Sequence, residues 1–480
     1  MEWTWAWLVF LAALIAIPLT PVITLSGKSP AATLAWLFCV WAMPGLGPLL
    51  YVLVGRGRLH RGLARKRRRA LTRVREPLDH SVRSSQVLSH GTLPLPKRFR
   101  QLARMASRMS ETRLTSGNRV ELLSSAPATY DRMLADIAGA ERQVHLEYYI
   151  WREDSTGRRF IDAVVERAHA GVEVRLLLDA VGAYQVTSAT IERVRAAGGR
   201  VAFFHPVNPL KRRFNLNFRN HRKLAVIDGR IAYTGGINVG NEYLGRDGDL
   251  GPWRDMAVRV DGPAVRWLQR TFAEDWFFVT GELLSRERDF PARPESAGRA
   301  QVQVVQSGPD EDLGNLHRIF FSAITMARRS VWITTPYFIP DDSVQLALET
   351  AVLGGVDVRI VVPGRSDSFL VDAAARWYLA SLIMAGARVF RYERGYVHAK
   401  TMVVDGIFSS VGSANMDIRS FRLNFEAGVL IYDTDFAREL IARFEEDIAH
   451  SREVTRAELR QRGTIARTLE ALARLASPLL

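Results

Sequence analysis

The chain begins with two apolar stretches, Trp3 to Leu25 and Ala31 to Val54, neither of which carries a charge. A bilayer core of ~30 Å is crossed by about 20 apolar residues in a helix. Both stretches are long enough, and only Ser26 to Pro30, with Lys28, lies between them. They predict a two-helix transmembrane hairpin over residues 1–55. Pro18, Pro21, Pro44 and Pro48 fall inside it and predict kinks, or a re-entrant segment where neighbours re-satisfy the backbone. The first stretch lacks the basic start of a cleaved signal peptide, and a second apolar stretch follows at once. Beyond the hairpin the pattern changes to short β-branched runs alternating with amphipathic segments. Val144 to Trp151, a helix-like Phe160 to Ala170 and Gly171 to Leu178 are echoed by Val331 to Phe338, Val344 to Leu353 and Gly355 to Val362. Ala197 to Val201 is echoed by Ala385 to Val389. Strand, helix, strand, helix, strand in this order predicts an α/β fold with a mostly parallel sheet flanked by helices. The repetition predicts two pseudo-symmetric halves, 119–284 and 301–450, joined by the polar linker 285–300 with Pro291 and Pro294. Residues 56–118 read as a basic juxtamembrane linker. Residues 451–480 read as an amphipathic C-terminal helix, in which Ile465, Leu469, Leu472 and Leu475 recur with Arg467 and Arg474 among them. That pattern fits an interfacial helix or a helix packed on the body.

Charge adds an orientation. The formal net charge is +15, and a dense run follows the hairpin: Arg56, Arg58, Arg61, Arg65, Lys66, Arg67, Arg68, Arg69, Arg73 and Arg75. Positive residues stay on the cytoplasmic side. The expected location is therefore the inner membrane, multi-pass, with the body and the amino terminus in the cytoplasm. A second basic group is Lys211, Arg212, Arg213, Arg219 and Arg222. An anionic leaflet gains roughly 1 kcal/mol for each nearby basic residue. Nucleic acid would attract the same charges, but the hairpin holds them against lipid, so anionic membrane lipids are the expected partner and nucleic acid is not. Cys39 is the only cysteine, which excludes an intrachain disulfide.

The chemistry is carried by one pattern that occurs twice. His221, Lys223 and Asp228 are followed by Gly235-Gly236-Ile237-Asn238; His398, Lys400 and Asp405 are followed by Gly412-Ser413-Ala414-Asn415. Side chains at i and i+2 of a strand share a face, so each His and Lys project together, with Asp at the Asp-Gly turn and the tail as a returning strand. Two such units facing each other combine two imidazoles, two ammonium groups and two carboxamides. Charged lysine is no metal ligand, and no Cys/His cluster has zinc spacing, so neither metal nor other cofactor is expected. A phosphoryl group suits the set: Lys223, Lys400, Asn238, Asn415 and Ser413 around its oxygens, one histidine as nucleophile and the other as general acid and base.

These residues resemble the phospholipase D superfamily, and more narrowly the bacterial cardiolipin synthases. The resemblance covers nearly the whole chain. It rests on Asn220 to Lys223 with Thr234 to Asn238, on Thr335 to Pro340, and on Val397 to Lys400, Gly412 to Asn415 and Arg419 to Glu426. It implies two phospholipase D-like halves, a phosphohistidine intermediate and no metal. It also implies an acidic residue after each motif that orients the histidine of the opposite half: Glu426 with His221, and Asp255 with His398. The first-half histidine is usually the nucleophile, which points to His221. Gly236 departs from Ser413, so a hydroxyl is available from one half only. The implied reaction transfers a phosphatidyl group from one phosphatidylglycerol to another, giving cardiolipin and glycerol. A membrane-bound hydrolase, or a transphosphatidylase with another acceptor alcohol, shares the same residues. Oligomeric state stays open.

Overall fold

The computed structural model describes residues 14–26, 30–43, 45–55, 67, 70–72, 95–204, 218–246, 250–285, 289–290, 297–310 and 314–477. The chain divides into two compact units, Met1–Thr72 and Arg73–Leu480.

In the first unit residues 14–24 are helical, and a second helix covers Pro30–Ala42. The chain restarts beyond Gly45, which takes a left-handed φ of 80°, as a short helix Leu46–Leu50 and a π turn Tyr51–Gly55. Ala16, Leu19, Ile23, Val40 and Tyr51 form a small core. Gly47 permits that packing, since a Cβ there would lie 2.1 Å from the Cys39 carbonyl oxygen. Leu34 and Phe38 project outward, exposed. The expected two-helix transmembrane hairpin, with its kinks or re-entrant segment, is not confirmed here: among the described residues no helix is long and apolar enough to cross a membrane. The physical reason is the break at Gly45, which cuts the second apolar stretch in two. Residues 1–13, with the start of the first stretch, lie outside the described residues. So do the basic residues from Arg56 to Arg75 other than Arg67, together with Lys211 to Arg213 and most of the expected linker 285–300.

In the second unit the first half contains β1 (Thr115–Leu123), β2 (Gln143–Tyr148), β3 (Glu173–Asp179), β4 (Arg200–Phe204), β5 (Leu224–Ile227), β6 (Ile231–Gly235), β7 (Trp253–Arg254) and β8 (Ala257–Asp261). The second half contains β9 (Ala300–Ser307), β10 (Ser330–Thr334), β11 (Phe338–Ile339), β12 (Asp357–Pro363), β13 (Arg388–Tyr392), β14 (Tyr396–Val397), β15 (Thr401–Val404), β16 (Phe408–Gly412), β17 (Met416–Asp417) and β18 (Glu426–Tyr432). A final edge strand, β19, covers Ser451–Glu453. One 15-stranded sheet runs β19-β13-β12-β10-β15-β16-β18-β9-β1-β8-β6-β5-β2-β3-β4. Apart from β19, the order reads as the same seven-strand pattern from either end, meeting at β9 and β1. Residues alternate between two layers: Val144 and Leu146 of β2 enter the core with Phe160 and Val164, while His145 stacks on Phe272 of the helix Val265–Thr280.

Each half is mixed, not mostly parallel. Within the 15-stranded sheet, only β2-β3-β4 and β10-β12-β13 are parallel. The motif hairpins β5–β6 and β15–β16 and the returning strands β8 and β18 pair antiparallel. The βαβ rhythm is strong in the sequence and predicts the parallel part. The antiparallel part comes from Asp228-Gly229 and Asp405-Gly406, whose φ values of 53°, 62°, 56° and 66° make the tight, left-handed hairpin turn. Two segments also differ from expectation. Lys97–Ser110, inside the expected basic linker, is a helix whose Phe99, Leu102 and Ala106 join the second-half core. The expected single C-terminal helix is instead β19, a short helix Arg456–Gln461 and a helix Thr464–Leu475.

Candidate active site

Two short cross-half contacts bring the motifs together. His221 N donates to the Phe425 carbonyl (2.9 Å), and Phe425 N donates to the Arg219 carbonyl (2.9 Å). The next residue, Glu426, therefore stands beside His221, whose Nδ1 lies 3.0 Å from both carboxylate oxygens. The same construction recurs at the other motif. β14 pairs parallel with β7, and His398 N donates to the Arg254 carbonyl (2.8 Å). Asp255 then stands beside His398, with Oδ2 2.6 Å from Nδ1. Nδ1–H donation to a carboxylate sets the tautomer and leaves the Nε2 lone pair available. Lys223 Nζ donates to the His221 carbonyl (2.6 Å), and Lys400 Nζ donates to the His398 carbonyl and lies 2.9 Å from its Nδ1.

Burial governs the electrostatics. It lowers His221 to about 4, against the opposing pull of Glu426. It lowers His398 to about 4 with help from the Lys400 charge, against Asp255. Burial also lowers Lys400 to about 8 and holds Lys223 well below the usual lysine range, and the charge of Lys400 adds to the depression at Lys223. Burial alone would raise Glu426, but His221 and Lys223 keep its carboxyl below the usual value.

The two acids are braced differently. Ser413 Oγ donates to Glu426 Oε2, and Asn424 Nδ2 donates to Oε1 (3.2 Å). At the corresponding place in the first half, a Cβ on Gly236 would lie 2.1 Å from Asp255 Oδ1. The shorter Asp sits against glycine, and the longer Glu is held by serine. Gly236→Ala is accordingly expected to push Asp255 off His398 and lower kcat about 10²-fold, the scale of a 1 Å misplacement. Gly236→Ser with Asp255→Glu recreates the second-half pairing and is expected to recover much of that loss. Unchanged kinetics in Gly236→Ala would contradict the account of this contact.

The structure does not bring Asp228 and Asp405 to the histidines. Each lies at the far end of its strand, where its carboxylate caps a row of backbone N–H groups. Asp228 accepts from Glu141, Arg142 and Gln143 at 2.8–2.9 Å. Asp405 accepts from Arg328, Arg329 and Ser330 at 2.7–3.1 Å and pairs with Arg98 at 2.6 Å. Burial opposes its ionisation, but these donors keep the Asp405 carboxyl below the usual range. The proposed phosphate amides are also occupied. Asn238 accepts from Ile150 N (3.0 Å) and donates to the Tyr243 hydroxyl. Asn415 Nδ2 donates to Asp417 (3.2 Å). Ser413 serves Glu426.

Several neighbours escaped the sequence reading. The Tyr149 ring lies 5.2 Å from the His221 ring, and Lys223 Nζ lies 5.5 Å from its centroid. Tyr243, Trp253 and Tyr396 surround His398 at 5.1–5.8 Å. The aromatic residues in Glu147-Tyr148-Tyr149-Ile150-Trp151 and Pro252-Trp253 were the available signal. Arg219 and Arg222, read as part of a basic surface, are buried instead. Arg219 pairs with Asp179 at 3.3 Å. Arg222 pairs with Asp275, donates to the Glu426 carbonyl (3.1 Å) and reaches Gln306 (3.3 Å). It thus joins the first half to the strand that carries the histidine's acid, and Ala399 stands at the matching place in the other motif. A buried guanidinium needs such partners, which no local pattern announces.

Comparison with known proteins agrees with this architecture. The family model described as "Cardiolipin synthase, PLD-like domain" matches residues 133–276 and 320–448, and that described as "Phospholipase_D-nuclease N-terminal" matches 13–56. The chain is 38% identical to the cardiolipin synthase of Geobacillus thermodenitrificans (strain NG80-2) over 96% of its own length and 91% of the relative's. It is 36% identical to cardiolipin synthase 2 of Bacillus anthracis, over 96% and 89% of the two lengths. The crystal structure of phosphatidylserine synthase from Haemophilus influenzae Rd KW20 superposes with a TM-score of 0.60 at 16% identity, covering 80% of this chain and all of the other; that likeness concerns the fold. The chain belongs to the cardiolipin synthases of the phospholipase D superfamily and is a phosphatidyltransferase of the phospholipase D type.

Proposed function

We propose that this enzyme joins two phosphatidylglycerol molecules into cardiolipin and glycerol through a phosphatidyl group held on His221. One observation carries the reading: each imidazole is bonded through Nδ1 to a carboxylate of the other half, which leaves Nε2 of both for chemistry beside two buried lysines. His221 Nε2 attacks phosphorus, the bond to the glycerol oxygen breaks, and His398 Nε2–H gives that oxygen its proton. The hydroxyl of a second phosphatidylglycerol then passes its proton to His398, its oxygen bonds to phosphorus, and the phosphorus–nitrogen bond breaks. Lys223 and Lys400 neutralise the phosphoryl oxygens in both steps. Both histidines are neutral in the free enzyme. The anionic phosphodiester adds a negative charge that raises their pKa values and favours the proton on His398. Asp228 and Asp405 hold the frame, and Asn238, Asn415 and Ser413 act through Tyr243, Asp417 and Glu426. The bracing of Glu426 by Ser413 and Asn424 supports His221 as the nucleophile.

Residues 1–55 insert into the inner membrane with both ends cytoplasmic, so that the catalytic body meets its lipids there. The two uncharged stretches Trp3 to Leu25 and Ala31 to Val54, the exposed Leu34 and Phe38 and the basic run after Val54 support this. Protease attack on the body from the outer face of intact spheroplasts would contradict it.

The product test uses labelled phosphatidylglycerol and purified protein. Cardiolipin with one glycerol per turnover is expected; phosphatidic acid alone would move the reaction to hydrolysis. The pH profile is also set. kcat/KM should pass through a maximum set by the coupled histidine pair near about 4, rising as His221 loses its proton and falling as His398 loses the one it donates, and should fall further above about 8 as Lys400 loses its charge. In Lys400→Arg, where this cation stays charged, the share of that fall owed to Lys400 should be lost, Lys223 carrying what remains. An alkaline fall identical to that of the wild type would assign it elsewhere.

A further inference from the structure

The helix Thr464–Leu475 is packed inside out. Its inward side, toward the helix Phe369–Ala385, is formed by Glu470, Ala473 and the following Ser477, and the Ser477 hydroxyl meets the Tyr378 hydroxyl at 3.2 Å. Its apolar stripe faces out: Ile465 is 80% exposed, Leu469 48%, Leu472 57% and Leu475 77%. An amphipathic helix normally buries that stripe. The apolar surface continues onto Trp377, 37% exposed, over which the Arg474 guanidinium lies 5.4 Å from the ring centroid. Arg460, Arg467 and Arg474 are exposed around it. The helix's one acidic side chain, Glu470, is buried and paired with Arg462 at 2.7 Å.

We propose that this face lies on an anionic lipid surface, with the leucine stripe in the headgroup–acyl boundary and the arginines at lipid phosphates. Apolar residues on one side flanked by cations are what such a surface takes up. A second copy fits less well. A two-fold contact would set Arg467 and Arg474 against their own counterparts, with no exposed carboxylate on the helix to pair them. The proposal rests on the reading of the enzyme as one that draws its substrates from a bilayer. It adds a second attachment, on the catalytic body itself, to the one assigned to residues 1–55.

The test uses the full-length chain in vesicles, with Cys39→Ser and a fluorophore on Leu472→Cys. A control chain carries the fluorophore on Arg438→Cys, whose native side chain is 77% exposed on the helix Thr434–Ala449. Nitroxide-labelled lipid is expected to quench position 472 several-fold more than 438, and more in phosphatidylglycerol vesicles than in phosphatidylcholine vesicles. Equal quenching at the two positions overturns the proposal. So does concentration-dependent energy transfer between labelled chains in detergent, which would mean a second copy covers the stripe. Quenching needs no turnover, so it stands apart from the assigned reaction. In a second experiment, Leu469→Glu with Leu472→Glu is expected to lower the rate on vesicle-borne phosphatidylglycerol about tenfold and to leave the rate on a short-chain, water-soluble analogue unchanged. Equal loss on both substrates, or no loss on vesicles, overturns it.

Discussion

Replacing His221 by alanine is expected to lower cardiolipin synthesis by about 10⁴-fold or more, because the covalent step assigned to it is lost. His398→Ala should cost a similar amount, since the same imidazole protonates glycerol and deprotonates the incoming lipid. The pair should be strongly non-additive: the double variant should be scarcely worse than either single one, as for residues that act as one unit. Asp405→Asn is the informative contrast. Its carboxylate accepts from three consecutive backbone N–H groups and from Arg98. It should lower the unfolding temperature and leave kcat of the folded fraction close to native. A large kcat loss at unchanged stability would return Asp405 to the chemistry. Rate measurements at a temperature where each variant is folded separate these outcomes.

The second large effect falls on Arg222. Arg222→Ala is expected to cost about 3–5 kcal/mol of stability, the usual result of removing one partner from a buried ion pair. Asp275 loses its guanidinium, and the Glu426 carbonyl loses its donor. Glu147 adds to the problem. Burial and its hydrogen-bonded neighbour Asp275 already hold its carboxyl well above the usual range, opposed by Arg222. Arg222→Ala with Asp275→Asn should recover part of the loss, because the stranded charge is gone. Arg222→Lys should recover little, since one ammonium group does not span Asp275, the Glu426 carbonyl and Gln306. Chemical denaturation followed by tryptophan fluorescence reads these differences. Native stability in Arg222→Ala would show that the network is dispensable.

The legible part of this protein was the part written in short, repeated spacings. His-x-Lys on a strand, followed by an Asp-Gly turn, places two side chains on one face by geometry alone, and its recurrence announces two halves. Which carboxylate meets which histidine depends on Phe425 and Arg254 pairing across the halves; no spacing reveals that, and only the resemblance pointed to Glu426 and Asp255. The aspartates of the motifs mislead for the same reason: the N–H rows they cap, 141–143 and 328–330, are distant in sequence. Sheet direction was half legible, since βαβ units advertise parallel strands more loudly than a hairpin advertises an antiparallel pair. Arg219 and Arg222 read as surface because arginine usually is. The C-terminal helix was seen as amphipathic, yet which way it faces is decided by Glu470, Ala473 and Ser477 packing inward, against the ordinary preference of leucine.

The most direct measurement is to quench the working enzyme in acid within milliseconds of mixing with phosphatidylglycerol, digest it, and map the phosphatidyl adduct by mass spectrometry. A phosphatidyl group on the peptide carrying His221, present in the wild type and absent in His221→Ala, is the predicted result. An adduct on His398, or cardiolipin formed at native rate by His221→Ala, would contradict the assignment of His221 as the residue that holds the lipid between the two transfers.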